Sequence, residues 1–241
     1  MMEQNAKEYR DSQAKIARNE KLTVLGQLAG GVSHELRNPL SAIKNAAYFL
    51  NMVVREPDAA VKETLEILKK EVEISERIIN SLLDFARPVP AIRKKVDIDN
   101  VVRRALSRII VPENIAVASQ VDEALSAILA DPDQLCQVFE NIMLNAIQAM
   151  PDGGCLIVKV EEESPEWIAI SFKDTGIGVS EESMGKLFEP LFTTKARGIG
   201  LGLAIIRTLI DGHGGDIKVQ SEFGEGAIFT VRLPLNGKEQ K

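Results

Sequence analysis

The chain has 241 residues, 45% of them apolar and 27% charged, the balance of an ordinary globular protein with room for one or two hydrophobic cores. Its 29 basic residues face 35 acidic ones, a formal charge of 29 − 35 = −6 without a basic stripe, which argues against nucleic acid as a partner. No apolar run approaches the roughly 20 residues that span a bilayer, so no membrane contact is expected of these residues.

Residues 3–21 are polar and charged and read as a helical or coiled-coil lead without a signal-peptide core. This suits the cytoplasmic part of something longer as well as a free-standing protein. From Leu22 the apolar residues recur at steps of three and four: Leu25, Ala29, Val32, Leu36, Leu40, Ile43, Ala47 and Leu50. A second series runs through Val61, Leu65, Leu68, Val72, Ser75, Ile79, Leu82 and Phe85. Both are bundle-type helical stripes, parted by a turn near Pro57, and they predict an antiparallel hairpin over 22–88. A lone hairpin cannot enclose its stripe, so pairing with a second copy as a four-helix bundle is the simplest solution. Pro39 removes a backbone donor from the first helix and should kink it.

Arg87-Pro88-Val89-Pro90 ends the second helix, and residues 89–94 read as linker. Beyond it, residues 95–236 predict an α+β domain: strands at Asn114–Val121 and Leu125–Ala130, and a helix capped by Asp131-Pro132 that runs to about Met150. Strands follow at Cys155–Glu161 and Trp167–Lys173, then a helix near Leu201–Asp211 and a last strand pair at Asp216–Gln220 and Ala227–Leu233. Residues 237–241 form a tail. Cys136 and Cys155 lack CxxC or Cys-His spacing and read as reduced hydrophobic fillers, which suits the cytoplasm.

Only two histidines occur. His213 lies in Asp211-Gly212-His213-Gly214-Gly215 and reads as a helix C-terminal cap with no catalytic part. His34 lies in Ser33-His34-Glu35-Leu36-Arg37-Asn38-Pro39-Leu40, with an acid beside it and an amide one turn on, a good setting for a nucleophile. In the second half, Asn141 and Asn145 project from one helix face with Gln148 flanking them, an arrangement able to offer amide oxygens to Mg²⁺. Asp174-Thr175-Gly176-Ile177-Gly178 sets an acid at a strand end beside glycines that let the backbone pass close to a flat ring. Gly198-Ile199-Gly200-Leu201-Gly202-Leu203 runs glycines into a helix whose free N–H groups and dipole favour an anion. The segment Leu187–Arg197 upstream is apolar at one end and basic at the other, as a mobile cover over a triphosphate would be.

In this order the elements resemble the sensor histidine kinases of two-component signalling, over roughly Leu22–Pro234. Ser33–Leu40 is similar to their H box, Asn141–Asn145 to the N box, Asp174–Gly178 to the first G box and Phe188–Phe192 to the F box. Gly198–Gly202 and Gly224–Gly226 are similar to further G boxes. The resemblance implies a dimeric helical hairpin followed by an α/β sandwich of the gyrase, chaperone and histidine kinase type. It also implies ATP and Mg²⁺ as cofactors, a homodimer, and the receiver domain of a response regulator as partner. By the same resemblance His34 is the phosphoacceptor, Glu35 its orienting carboxylate and proton acceptor, and Asn38 a positioner of water in dephosphorylation. Asn141 and Asn145 hold Mg²⁺, Asp174 reads the adenine amine with Gly176 and Gly178 beside it, and Gly198, Gly200, Leu201, Gly202 and Leu203 surround the phosphates. Lys195 and Arg197 are γ-phosphate contacts. His34 and the glycine loops fall in different domains, so a hinge near Ala86–Pro90 has to bring them together.

Two rivals differ in class. One is a dimeric module that binds ATP without transferring phosphate. The other is a pure ATPase of the chaperone or topoisomerase kind, which would want an acid one turn before the metal-ligating asparagine, where Asn141 stands.

Overall fold

The computed structural model of the chain describes residues 36–54, 58–86, 90–122, 125–195 and 199–235. The predicted lead over 1–21, His34 and Glu35, the turn at Pro57, Arg197, Gly198 and the tail over 237–241 lie outside these residues. The chain divides into two compact units, Met1–Pro88 and Val89–Lys241.

In the first unit, residues 36–53 form helix α1, and α2 spans Ala59–Ala86. Asp58 starts α2 as a cap, its Oδ1 accepting from Val61 N–H at 2.7 Å. The helices run antiparallel: Arg37 donates to Asn80 Oδ1 at 3.1 Å, and Lys44 pairs with Glu76 at 2.9 Å. The stripes read from the sequence supply the contact face. Ala47, Val72 and Ile79 are buried, and Leu40, Leu65, Leu68, Ser75 and Leu82 are half-buried. Much apolar surface still faces outward, with Ile43 45% and Tyr48 70% exposed.

The second unit begins with a short antiparallel pair, β1 (Lys94–Val96) and β3 (Ile128–Ala130), flanking α3 (Ile98–Arg108) and β2 (Ile115–Val121). Helix α4 (Pro132–Gln148) follows, then β4 (Gly154–Ser164), β5 (Trp167–Asp174), the single turn α5 (Glu181–Met184), α6 (Gly202–Gly212), β6 (Asp216–Glu222) and β7 (Gly226–Pro234). Five strands make one sheet in the order β2-β4-β5-β7-β6, with β2 and β4 parallel and every other pair antiparallel. Alternation along the strands turns one face into core: Leu156, Val158 and Val160 of β4, Ile168, Ile170 and Phe172 of β5, and Phe229, Val231 and Leu233 of β7 are buried. Helices α3, α4 and α6 close that face, and Phe139 of α4 meets Phe172 with ring centroids 5.4 Å apart.

Helix α4 starts where Asp131-Pro132 predicts. Asp131 Oδ1 accepts from Asp133 and Gln134 N–H, and Pro132 stands in the first turn. The third strand is shorter than predicted and begins at Ile128, where pairing with β1 begins. Strand β1 and helix α3 are additions to the predicted elements. Among the described residues no helix is long and apolar enough to cross a membrane.

Candidate functional site

The site of the second unit is assembled at the ends of β5 and α4 by close backbone approaches. Asp174 closes β5 and is 2% exposed. Its Oδ1 accepts from Gly176 N–H at 2.9 Å and Ala227 N–H at 3.2 Å. Oδ2 has no hydrogen-bond partner among the described residues. Burial pushes the carboxyl above the usual carboxylate range, and the two N–H bonds pull it back only in part.

Three glycines are demanded by contact here. A Cβ on Gly226, at φ +90°, would lie 2.1 Å from Asp174 O, and one on Gly178, at φ +66°, 2.1 Å from Glu222 O. The Gly224–Gly226 turn is thereby part of the Asp174 setting and more than a strand connection. Gly176 joins the loop to α4: a Cβ there would lie 2.5 Å from Ala149 O, and Ile177 N–H donates to that same oxygen at 3.0 Å.

One turn back along α4 stand the amides. Asn141 and Asn145 are half-buried and Gln148 is exposed. Lys195 reaches them from the Leu187–Lys195 segment: its Nζ donates to Asn145 Oδ1 at 2.7 Å and to Gln148 Oε1 at 2.5 Å. Although Lys195 as a residue is exposed, its ammonium end is crowded by protein, and that burial lowers its pKa below the usual lysine value. Among the described residues there is no cluster of three His, Cys, Asp or Glu able to hold a metal. The two amide oxygens already face a cation, the Lys195 ammonium.

Helix α6 begins at Gly202 behind Leu201, which makes no side-chain cap to its leading N–H groups. Gly200 (φ +73°) passes Phe192 O so closely that a Cβ would come within 2.3 Å, and its carbonyl accepts from Leu191 N–H at 2.9 Å. This pins together the base of the segment that carries Lys195. Leu201 is buried, Leu203 packs against the core, and Phe188 sits under the Arg207 guanidinium at 5.3 Å.

The structure thus brings Asp174, Gly176 and Gly178 to one end of α4, and Asn145 and Lys195 to its last turn. Asn38 lies exposed on α1 in the other unit. Ala227, which holds Asp174 through a main-chain N–H, carries no side-chain signal that a sequence could show. His213 is the C-cap of α6, as expected, and also braces the domain. It is 2% exposed, with Nδ1 on Leu209 O at 2.8 Å and Nε2 accepting from Asp131 N–H at 3.0 Å. Cys136 is core filler whose thiol meets Glu140 at 3.1 Å, and burial raises its pKa.

The "His Kinase A (phospho-acceptor) domain" family matches residues 24–89, and the "Histidine kinase-, DNA gyrase B-, and HSP90-like ATPase" family matches residues 130–237. Sensor histidine kinase ZraS of Salmonella typhi is 37% identical over 230 residues, a match covering 93% of this chain and 49% of ZraS. The signal transduction histidine-protein kinase AtoS of Escherichia coli is 37% identical over 230 residues, covering 94% of this chain and 38% of AtoS. The chain therefore spans about half the length of the curated relatives it matches, or less. Full-length ShkA in complex with AMPPNP shares the fold with a TM-score of 0.74 at 26% identity, covering 88% of this chain and 46% of that one. Histidine kinase ThkA in complex with response regulator protein TrrA follows with a TM-score of 0.66 at 25% identity, covering 95% of this chain and 67% of ThkA. With both family domains matched in order and the fold shared along most of its length, the chain belongs to the sensor histidine kinases of two-component signalling.

Proposed function

We propose that the two units perform one transfer: the γ-phosphoryl group of ATP held by the second unit moves to His34, then to an aspartate on a response regulator's receiver domain. The observation that carries this reading is Asp174. A buried carboxylate with Oδ1 held by two main-chain N–H groups keeps Oδ2 for an exocyclic amine, which adenine has at the required ring position and guanine lacks there. Gly176 and Gly178 allow the base to lie close to the backbone. The glycine-led start of α6, with Gly198, Gly200 and Gly202, suits the phosphates.

The donor set fits Mg²⁺, because Asn145 Oδ1 already carries a cation, the Lys195 ammonium, and amide oxygens are hard ligands. Asn145, with Asn141 one turn before it, would hold the ion. Bound there, Mg²⁺ neutralises charge on the phosphates. Lys195 and Arg197 would add positive charge at the γ-phosphate. A requirement for ATP makes the cytoplasm the compartment of the reaction.

His34 attacks as neutral imidazole, the form with a ring nitrogen lone pair free to bond. One ring nitrogen forms the N–P bond while the bond from phosphorus to the bridging oxygen breaks and ADP leaves. The proton on the other ring nitrogen passes to Glu35. In the second step a receiver carboxylate oxygen attacks the same phosphorus, the N–P bond breaks, and His34 recovers a proton. Asn38 would position the water that removes phosphate from the receiver's aspartate. The outward apolar residues of the hairpin, Ile43 among them, support a homodimer.

A pure ATPase is disfavoured by Glu140, the acid nearest to Asn141 in sequence. Its carboxylate is taken up by Arg108 at 3.0 Å and by Cys136. The test is labelling with γ-³²P ATP and Mg²⁺. Acid-labile, base-stable label is expected on the chain and absent from His34→Gln, which still binds ATP. Label retained by that variant overturns the assignment.

A further inference from the structure

We infer that Lys195 competes with the metal ion for Asn145, so that this one lysine sets the Mg²⁺ requirement of the site and disfavours the diphosphate product. The inference rests on the nucleotide reading above and goes beyond it. Asn145 and Gln148 lie three apart on α4, so their side chains share one face. Their two amide oxygens converge on a single ammonium, at 2.7 and 2.5 Å. Main-chain bonding aims the lysine: Lys195 N–H donates to Thr193 Oγ1 at 3.0 Å, and the segment's base is pinned by Leu191 N–H on Gly200 O at 2.9 Å.

A magnesium ion on Asn145 Oδ1 would sit about 2.1 Å from that oxygen. With Nζ 2.7 Å from the same oxygen, the two cations would lie within about 5 Å of each other. Like charges at that separation repel strongly, so an arriving metal expels the ammonium and leaves Gln148 Oε1 without its donor. The expelled lysine needs a new anion. A triphosphate offers its γ-oxygens; a diphosphate does not. Lys195 therefore opposes Mg-ADP and not Mg-ATP, and its return to Asn145 and Gln148 helps product leave. Gln148 acts through Lys195 as a positioning residue, a role distinct from metal ligation.

The experiment measures the affinity of the full chain for ADP, and separately for a non-hydrolysable triphosphate, at graded Mg²⁺ concentrations. With ADP, Lys195→Met should lower the Mg²⁺ concentration for half-maximal affinity by roughly tenfold, and Gln148→Leu by roughly threefold, as one or both ammonium bonds are removed. With the triphosphate, Lys195→Met should lose this gain, because the phosphate contact goes with the lysine. A Lys195→Met chain that needs as much Mg²⁺ for ADP as the parent, or more, overturns the competition. A parent chain that binds neither nucleotide at any Mg²⁺ concentration overturns the nucleotide reading itself, and the competition with it.

Discussion

The two units solve the problem of burying apolar residues in opposite ways. The second closes a core of its own: Phe139, Phe172, Ile206 and Val231 are all sealed between one sheet face and three helices. Among the described residues the first is a hairpin of two helices, α1 and α2, and a hairpin offers just one seam. Val72 and Ile79 find cover there while Ile43, Leu50 and Tyr48 remain out. The nucleotide domain is thus specified by contacts within one chain, whereas the hairpin keeps apolar surface in hand for association. Catalytic geometry belongs in the first kind of structure, where backbone positions are over-determined, and exchangeable partners suit the second.

The sharpest way to probe that over-determination is a single methyl group. Gly226→Ala adds a Cβ 2.1 Å from Asp174 O at a φ of +90°, so backbone has to shift to admit it. Steric overlap and left-handed strain together should cost about 4 kcal/mol and abolish ADP binding. Gly212→Ala is the control, since nothing lies within 4 Å of a Cβ there. Calorimetric unfolding of both variants decides the matter: equal melting temperatures would remove the close approach as a determinant of the site.

The hairpin should answer to a different insult. Ile43 lies on the α1 stripe, and Ile43→Asp sets a carboxylate on the surface proposed to meet a second copy. Burial of an unpaired charge there should weaken dimerisation by about 3 kcal/mol, a hundredfold or more in Kd. Sedimentation equilibrium reads it directly, while the melting of the second unit should stay put. A variant that remains dimeric at the parent's concentration range would move the seam to another face.

How far this contrast is legible in the sequence depends on where the information resides. Asp131-Pro132 announces α4 through side-chain chemistry that needs no tertiary context, and the alternation of β4, β5 and β7 follows from a period of two. Strand β1 spans three residues, too few for any period, and exists because β3 pairs with it. Helix α3 does carry a signal: Asp97 caps it, and Ile98, Val101, Val102 and Ala105 form its buried stripe. The adjoining Lys94-Lys95 and Arg103-Arg104 pairs dilute that stripe on inspection. At the site, the acid and the glycines stand out as residue types. The anchoring of Lys195 by Gln148 does not, because it depends on how a segment 47 residues further on folds back.

The smallest effect tests how the core of the second unit is pinned. Leu209 O can only accept and Asp131 N–H can only donate, so His213 is the neutral tautomer with its proton on Nδ1. Burial is the main cause lowering its pKa, opposed by the bond to Leu209 O and by Asp131, with Arg93 adding to the shift. A depressed folded value means the unfolded chain binds the proton first. The stabilisation is therefore complete above about pH 6.5 and is lost as pH falls below that toward the folded value, with a slope of at most about 1.4 kcal/mol per pH unit. Asp174, whose pKa is raised, has the opposite sign, since the folded chain holds its proton longer and stability falls as pH rises through that carboxyl. Comparing the parent with His213→Gln cancels the Asp174 contribution. At pH 7.5 the variant should be less stable by about 1 kcal/mol for the broken brace. Between pH 7 and 5 the difference should shrink, because only the parent has a histidine there to protonate. Urea unfolding at a series of pH values gives both quantities, and a difference that holds constant with pH would show that His213 keeps its unfolded-state pKa and that its burial carries no proton linkage.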